Sequence, residues 1–237
     1  MVMEVFRSYL DLMIVFSAVL AAIAGIVTLE AFFRNRLKRL FEDKNYLVFF
    51  FLVTGYFLYA IGEIAYYLTK NLFADDSSMG IADVYWTGGA VLILVSFASL
   101  ALTLFKRDSG THGLRINTIF GFLVVAAVFI FVFGVSRPNY FFGYFYPIIS
   151  SLIVAFSLSA VHFFRQIPVI GPALRIFFLS SSAILAGDLL FTYTLSSGIY
   201  SISMLAVLGD GLYLLGYTLS LVAFVTLRLN MHQSSQQ

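Results

Sequence analysis

A chain of 237 residues that is 61% hydrophobic and only 11% charged has the composition of a membrane protein, because soluble domains average about half apolar and about a quarter charged residues. The formal net charge of +2 is too small, and its basic residues too scattered, to indicate nucleic-acid binding. The lack of cysteine excludes a disulfide framework, a thiolate nucleophile and a cysteine-based metal site.

Seven apolar stretches are long enough to cross a bilayer. A bilayer core of about 30 Å needs roughly 20 apolar residues in helical form, and lipid offers no partner to open backbone groups, so each span is expected to be a helix. Because the connections are short, we expect one polytopic transmembrane domain over residues 1–237. The predicted spans cover about residues 8–32, 46–69, 82–105, 117–136, 141–163, 173–195 and 202–227.

Basic residues in the connections predict the orientation of the chain. Most of them follow the first, third, fifth and seventh spans, on one side of the membrane, and the positive-inside rule assigns that side to the cytoplasm. Only Arg7, Lys70 and Arg137 fall on the other side. We therefore expect a multi-pass protein of the cell membrane with its N-terminus outside and its C-terminus cytoplasmic. The cytoplasmic basic residues are Arg34, Arg36, Lys38, Arg39, Lys44, Lys106, Arg107, Arg115, Arg165, Arg175 and Arg228.

The second and third spans are similar in sequence to the sixth and seventh. Gly62-Glu63 in the second span matches Gly187-Asp188 in the sixth, and the segment 83–89 matches the segment 210–216 after a short shift. Spans one to three and five to seven also begin on the same side, with the fourth span as a linker. The chain is therefore predicted to be an all-α membrane protein with a parallel 3+1+3 internal repeat.

Acidic residues in the predicted spans are the first candidates for a functional site, because charges in a membrane are costly and commonly functional. Asp188 and Asp210 lie in adjacent spans at a similar depth below the outer boundary. Asp11, Glu63 and Asp83 lie in the same outer half or at its edge. We therefore expect any function of these acids at the outer side.

Polar residues recur at helical spacing on the faces that carry these acids. On the seventh span Asp210, Tyr213 and Tyr217 share a face, and on the second Tyr59 and Glu63 do. Because lipid would exclude such faces, we expect them to point at one another and to form a polar pocket open to the outer side. The candidate ligand- or proton-binding residues are Asp188, Asp210, Glu63, Asp83, Tyr59, Tyr213, Tyr217 and Thr87, with Tyr144 and Tyr146 at the same level.

This pocket is expected to lack a basic partner, because Arg7, Lys70 and Arg137 are at most rim residues. Buried carboxyls without such a partner are expected to be protonated or to hold a cation. The alternative is that the acids only bond helices together. For Asp11 and Asp83 the simpler interpretation is a solvated helix end, with Asp83 as an N-cap.

Two classes of enzyme do not fit the sequence. The Gly-Asp pairs resemble those of intramembrane aspartyl proteases, but Val207 stands at the first glycine of their Gly-x-Gly-Asp motif and Gly187 stands where tyrosine would precede the other aspartate. His112, His162 and His232 lie on the cytoplasmic side, away from the acids, so no zinc site is predicted. We therefore predict no enzymatic activity and no metal.

The segment Ala82-Asp-Val-Tyr-Trp-Thr87 resembles the third helix of microbial rhodopsins, where an aspartate and a threonine one turn later face the chromophore. Asp210, with Gly216-Tyr217 after it, resembles their last helix, and the 3+1+3 plan is also similar. Leu214 stands where the retinal lysine is expected. None of Lys38, Lys44, Lys70 and Lys106 is near the middle of a span. The resemblance therefore implies the layout without retinal, and we predict no cofactor.

The pattern Ala/Gly-Asp-x-x-Tyr/Trp-x-x-Gly occurs at residues 82–89 and 209–216. It resembles the pattern of seven-helix input modules that precede prokaryotic kinase or cyclic-dinucleotide output domains. The resemblance implies a role in signal transduction. No output domain is recognised in the sequence, so the expected partners are the lipid bilayer and a separate membrane or cytoplasmic signalling protein.

The leading prediction is a non-enzymatic membrane sensor or binding module with an acidic, tyrosine-lined pocket. The first alternative is a proton- or cation-coupled transporter of small solutes, similar in layout to the SWEET sugar transporters, in which protonation of Asp188 or Asp210 drives alternating access. The inner halves of the spans are apolar apart from Glu30, which favours the sensor. The second alternative is a structural subunit of a membrane complex.

Overall fold

Every regular element in the described part of the chain is helical. The computed structural model describes residues 2–33, 44–70, 80–105, 112–200 and 203–234. Within these ranges, seven helices are long and apolar enough to cross a membrane, as predicted. They are α1 (Val2–Phe33), α2 (Lys44–Leu68), α3 (Ile81–Phe105), α4 (His112–Ile130), α5 (Phe141–Phe164), α6 (Gly171–Ser196) and α7 (Met204–Ser234).

The helix boundaries follow local sequence signals. Pro172 lies in the first turn of α6, where the missing N–H of proline has no intrahelical partner to lose. The helix α4 continues as a π-helical turn, Phe131–Ser136, and ends at Arg137, which has the left-handed φ of 45°. The backbone N–H of Arg137 donates to the Val132 carbonyl at 2.8 Å and so satisfies one of the last free carbonyls.

Six of the helices form a closed ring in the order α1, α2, α3, α5, α6, α7, with α7 packed back against α1. The helix α4 packs on the outside of this ring against α5. It is the least buried of the seven spans, since only 17% of the residues in its most apolar window are buried inside the protein. The side chains of Phe122 and Ile130 are each 71% exposed. Such a surface suits contact with lipid, so the ring, and not α4, forms the interior of the protein.

A fully buried aromatic cluster fills the middle of the ring. It consists of Tyr56, Phe97, Phe177 and Phe224, contributed by α2, α3, α6 and α7. Phe177 lies 4.9 Å from Phe224 and 6.0 Å from Tyr56, measured between ring centroids. Phe97 lies 6.4 Å from Phe177. These ring contacts join α2, α3, α6 and α7 in the interior of the protein.

The residues that predict the orientation are only partly described. Arg34, Arg36, Lys38, Arg39, Lys106 and Arg107 lie outside the described residues. Arg7, Lys70 and Arg137 lie at one end of the ring, where α1 begins and α2 ends, and Arg165 and Arg175 lie at the other. We call the first of these the N-terminal end. Its assignment to the outside of the cell stays a prediction, as does the internal repeat.

Candidate ligand-binding site

The predicted polar faces meet around a cavity at the N-terminal end of the ring. The cavity has a volume of about 90 Å³. Of the eight candidate residues, it brings together six: Asp188, Asp210, Glu63, Tyr59, Tyr213 and Tyr217. The other residues that line it are Asp11, Ile14, Val15, Tyr66, Tyr67, Trp86, Tyr146, Ile184, Phe191 and Tyr200. Helical periodicity therefore identified most of the polar residues that α2, α6 and α7 contribute to the cavity wall. The part of the wall that α1 contributes was not predicted from the sequence.

Asp210 has a basic partner, so the prediction that it lacks one is wrong. The guanidinium of Arg7 donates from Nη2 and Nε to Asp210 Oδ2 at 3.1 and 3.2 Å. Its Nη1 donates to the Tyr200 carbonyl at 3.0 Å, and its Cζ lies 4.3 Å from the centre of the Tyr200 ring. The side chains of Arg7 and Asp210 are only 9% and 7% exposed. Ring closure brings the start of α1 beside α7, which converts a rim arginine into a buried partner.

Asp11 is likewise paired, which corrects its interpretation as a solvated residue. The ammonium group of Lys70 donates to Asp11 Oδ2 at 2.6 Å and lies 5.4 Å from the centre of the Tyr66 ring. Burial alone lowers the pKa of Lys70, but Tyr66 and the hydrogen bond to Asp11 outweigh it, so the pKa is raised above its ordinary value. Arg7 and Asp11 stand one turn apart on α1, so one face of that helix holds both ion pairs.

Glu63 and Asp188 differ from these two acids because hydroxyl groups donate hydrogen bonds to them. Tyr217 donates to Glu63 Oε1 at 2.7 Å. Asp188 accepts from Tyr213 at 2.7 Å and from Ser150 at 2.5 Å, one bond on each carboxyl oxygen. Among the described residues, no lysine or arginine forms an ion pair with either acid. The cavity therefore contains two carboxyls whose charge is not balanced by any described lysine or arginine.

Asp83 and Thr87 do not line the cavity. Asp83 is the third residue of α3, and its Oδ2 accepts from the Gly80 N–H at 3.0 Å, which is the reciprocal half of a capping box. Its Oδ1 accepts from the Tyr146 hydroxyl at 2.9 Å. Asp83 is therefore not the N-cap, which is Gly80, but the interpretation of Asp83 as part of the helix start fits its contacts. The hydroxyl oxygen of Thr87 is buried without a well-formed hydrogen bond within the described residues.

Two aromatic residues differ from the sequence prediction, which placed Tyr144 at the pocket and did not include Trp86 among the candidates. Tyr144 does not line the cavity but packs outward on Phe133, with their ring centroids 5.0 Å apart. Trp86 lines the cavity instead, and its ring lies against Gly62, where an added Cβ would be 2.5 Å from Trp86 Cδ1. Trp86 lies one turn after Asp83 on α3, and this spacing is the signal that could have identified it. The glycine is needed because no larger residue leaves room for the indole.

Buried hydroxyls continue from the cavity toward the aromatic cluster. A second, much smaller cavity of about 10 Å³ lies between Tyr56, Ser150 and Ser181, which is close to the least space that one water needs. Beyond it, Tyr56 and Ser180 are 3.4 Å apart between their hydroxyl oxygens, and Ser180 and Ser220 are 2.6 Å apart. The hydroxyls reach as far as the aromatic cluster, which Tyr56 itself joins.

Comparison with known proteins identifies no relative for this arrangement: no family model, no curated protein and no solved structure matches the chain. The resemblances to microbial rhodopsins and to prokaryotic input modules therefore stay predictions. The residues around the cavity are the basis on which a function is proposed.

Proposed function

We propose that this chain is a non-enzymatic membrane module that binds a small solute in the cavity from the outer side and signals through a separate partner. The observation that carries the proposal is the cavity itself, which combines unbalanced carboxyls with a wall of tyrosines near one end of the helix ring. Specific small-molecule sites are typically concave and mostly apolar, with a few convergent polar groups. The cavity has each of these properties.

The aromatic cluster supports binding rather than passage. Tyr59 in the cavity wall contacts Tyr56 of the cluster, with centroids 6.2 Å apart. Phe177 and Phe224 continue the packing beyond Tyr56, and all three are almost fully buried. A solute that reached the other end would have to pass between rings in close contact. This favours a receptor-like role.

The internal repeat is also part of the proposal, and equivalent contacts in the two halves support it. Gly62 lies against Trp86 in the first half, and Gly187 lies against Tyr213 in the second. Arg7 of α1 donates to Asp210 in the first turns of α7. At the equivalent place in the other half, Tyr146 of α5 donates to Asp83 in the first turn of α3. Glu63 and Asp188, the two unbalanced acids, are then equivalent positions. A ligand between them would contact both halves at once.

A transporter is the second candidate, and the hydroxyls beyond the cavity favour it. Ser150 bonds Asp188 on one side and lines the small cavity beside Tyr56 on the other. Such a chain of hydroxyls, with one water, is the kind of path along which a proton moves. In this reading Asp188 would exchange protons while the aromatic cluster opens and closes.

Binding and flux measured on the same purified protein test the proposal. Thermal unfolding in detergent is measured against amines, alcohols, sugars, amino acids and organic acids, and each class that stabilises the protein is then tested for uptake into proteoliposomes. We expect stabilisation by at least one class without uptake above protein-free liposomes. Uptake that Asp188→Asn abolishes and Glu30→Gln leaves intact would establish the transporter instead. If no class stabilises the protein, the binding role is wrong.

The orientation is tested by cysteine labelling, because the native chain contains no cysteine. Asn139 is exposed at the N-terminal end of the ring, and Gln166 is exposed at the other end. In intact cells, we expect a membrane-impermeant maleimide to label Asn139→Cys at once, and Gln166→Cys only after permeabilisation. The reverse pattern would place the cavity on the cytoplasmic side.

A further inference from the structure

We propose that the ligand of the cavity is a small organic ammonium ion, held by the carboxylates of Glu63 and Asp188 and enclosed by aromatic rings. The inference rests on the proposed binding function and names the chemical class of the ligand. It is argued from the charge, the wall and the volume of the cavity.

The charges around the cavity are unequal. Four acids line it, and Arg7 and Lys70 balance two of them, Asp210 and Asp11. Glu63 and Asp188 accept hydrogen bonds from tyrosine and serine hydroxyls, and hydrogen bonds donated to a carboxyl favour its charged form. A buried carboxyl without a partner either takes up a proton or is paired with a cation. A cationic ligand supplies the partner that the described residues do not.

The wall of the cavity is suited to an organic cation. Nine of its sixteen residues are aromatic, and tyrosine and tryptophan rings attract cations through their negatively charged faces. The same rings already hold two cations at the rim, since Arg7 lies over Tyr200 and Lys70 near Tyr66. A bare metal ion would require several oxygen ligands at short distance. A site of aromatic rings and two carboxyls fits an ammonium group with methyl or methylene substituents better than it fits a metal ion.

The volume limits the size of the ligand. A cavity of about 90 Å³ compares with about 10–15 Å³ for the smallest cavity that holds one water, and with about 150 Å³ for an apolar cavity that takes benzene. It therefore suits a cation of about three to five heavy atoms. Methylated and short-chain ammonium ions fall in this range, whereas a sugar or an aromatic amine does not.

The experiment compares isosteric probes on the wild-type protein. Isopropylammonium, tetramethylammonium, neutral isopropanol and potassium ion are titrated at neutral pH and constant ionic strength. Binding is followed by thermal unfolding and by the fluorescence of Trp86, which lines the cavity and is the only tryptophan of the chain. We expect at least one ammonium probe to stabilise the protein saturably and to change the Trp86 emission. Isopropanol and potassium should do neither at the same concentration.

Variants test whether Glu63 and Asp188 provide the negative charge that binds the ammonium ion. Glu63→Gln and Asp188→Asn keep the size of each side chain and remove its charge, so each should weaken ammonium binding at least about tenfold. The matched control is Glu30→Gln, an exposed acid on α1 outside the cavity, which should leave binding unchanged. Because the probes are compared on the wild-type protein first, a variant that fails to fold does not decide the result.

Three outcomes would overturn the inference. Equal binding of isopropanol would mean that apolar contact suffices, which leaves the binding function standing without the cationic ligand. Equal binding of potassium would identify an inorganic cation site. Binding of neither ammonium ion would also refute the ligand class, whereas the wider solute panel described above decides separately whether the cavity binds anything.

Discussion

The ion pair between Arg7 and Asp210 makes the sharpest prediction about stability. Arg7→Met keeps an unbranched aliphatic stem but removes the hydrogen bonds to Asp210 and Tyr200. It leaves the Asp210 carboxyl buried, at 7% side-chain exposure, without its positive partner. The consequence is the cost of an uncompensated charge and not only the loss of one contact.

The magnitude follows from distance and burial. At 3.1 Å and an effective dielectric constant of about 20, two unit charges attract by about 5 kcal/mol. Desolvation of both charges offsets much of this attraction, whereas removal of one partner from a buried pair costs about 3–5 kcal/mol. We therefore expect Arg7→Met to lower the free energy of unfolding by about 3 kcal/mol. Lys70→Met should cost about 1 kcal/mol or less, because that side chain is 32% exposed.

The assay is a double-mutant cycle of unfolding in mixed micelles with increasing SDS, followed by Trp86 fluorescence. Arg7→Met, Asp210→Leu and the double variant are compared with the wild type. If the pair is coupled, the double variant should lose at least about 1.5 kcal/mol less than the two single losses added together. Additivity within about 0.5 kcal/mol would refute the reasoning, since it would mean that the two groups do not interact energetically.

Two further predictions concern packing and alkaline pH. Gly62→Ala should destabilise the protein by about 1–3 kcal/mol, because its Cβ would lie 2.5 Å from Trp86 Cδ1, whereas Gly211→Ala, whose Cβ meets nothing within 4 Å, should be neutral or slightly stabilising in the same unfolding assay. Burial raises the pKa of Tyr140 to about 12, so the unfolded chain releases this proton first and stability should fall as pH rises from about 10 to about 12. Tyr140→Phe should reduce that fall in alkaline melting curves, and an unchanged slope would contradict the assignment.

The number of helices and the polar faces of α2 and α7 could be predicted because both depend on local periodicity. An apolar run of the right length has to be helical in lipid, and Tyr59, Glu63, Asp210, Tyr213 and Tyr217 recur at the spacing of one helical face. The cavity wall formed by these residues is a direct consequence. Local sequence is sufficient wherever a face is defined by one helix.

The partners of the acids could not be predicted in the same way. Arg7 and Asp210 are 203 residues apart, and Lys70 and Asp11 are 59 apart. Their contact depends on closure of the ring, which places α1 between α2 and α7, and no periodicity within one span encodes that closure. The one local signal was that Arg7 and Asp11 share a face of α1. A polar face on the first helix was sufficient reason to place that helix at the pocket.

The contacts of the acids also decide where a cationic ligand would bind. At Asp210 an ammonium ion would have to displace Arg7, which makes three hydrogen bonds and lies over the Tyr200 ring. At Glu63 and Asp188 the partners are neutral hydroxyls, and each carboxylate oxygen can accept a second hydrogen bond without losing the first. Asp210→Asn should therefore act mainly on stability, and Glu63→Gln mainly on ligand affinity. If Asp210→Asn instead abolished ammonium binding in a folded protein, the Arg7–Asp210 ion pair would take part in ligand binding and would not only stabilise the helices around the cavity.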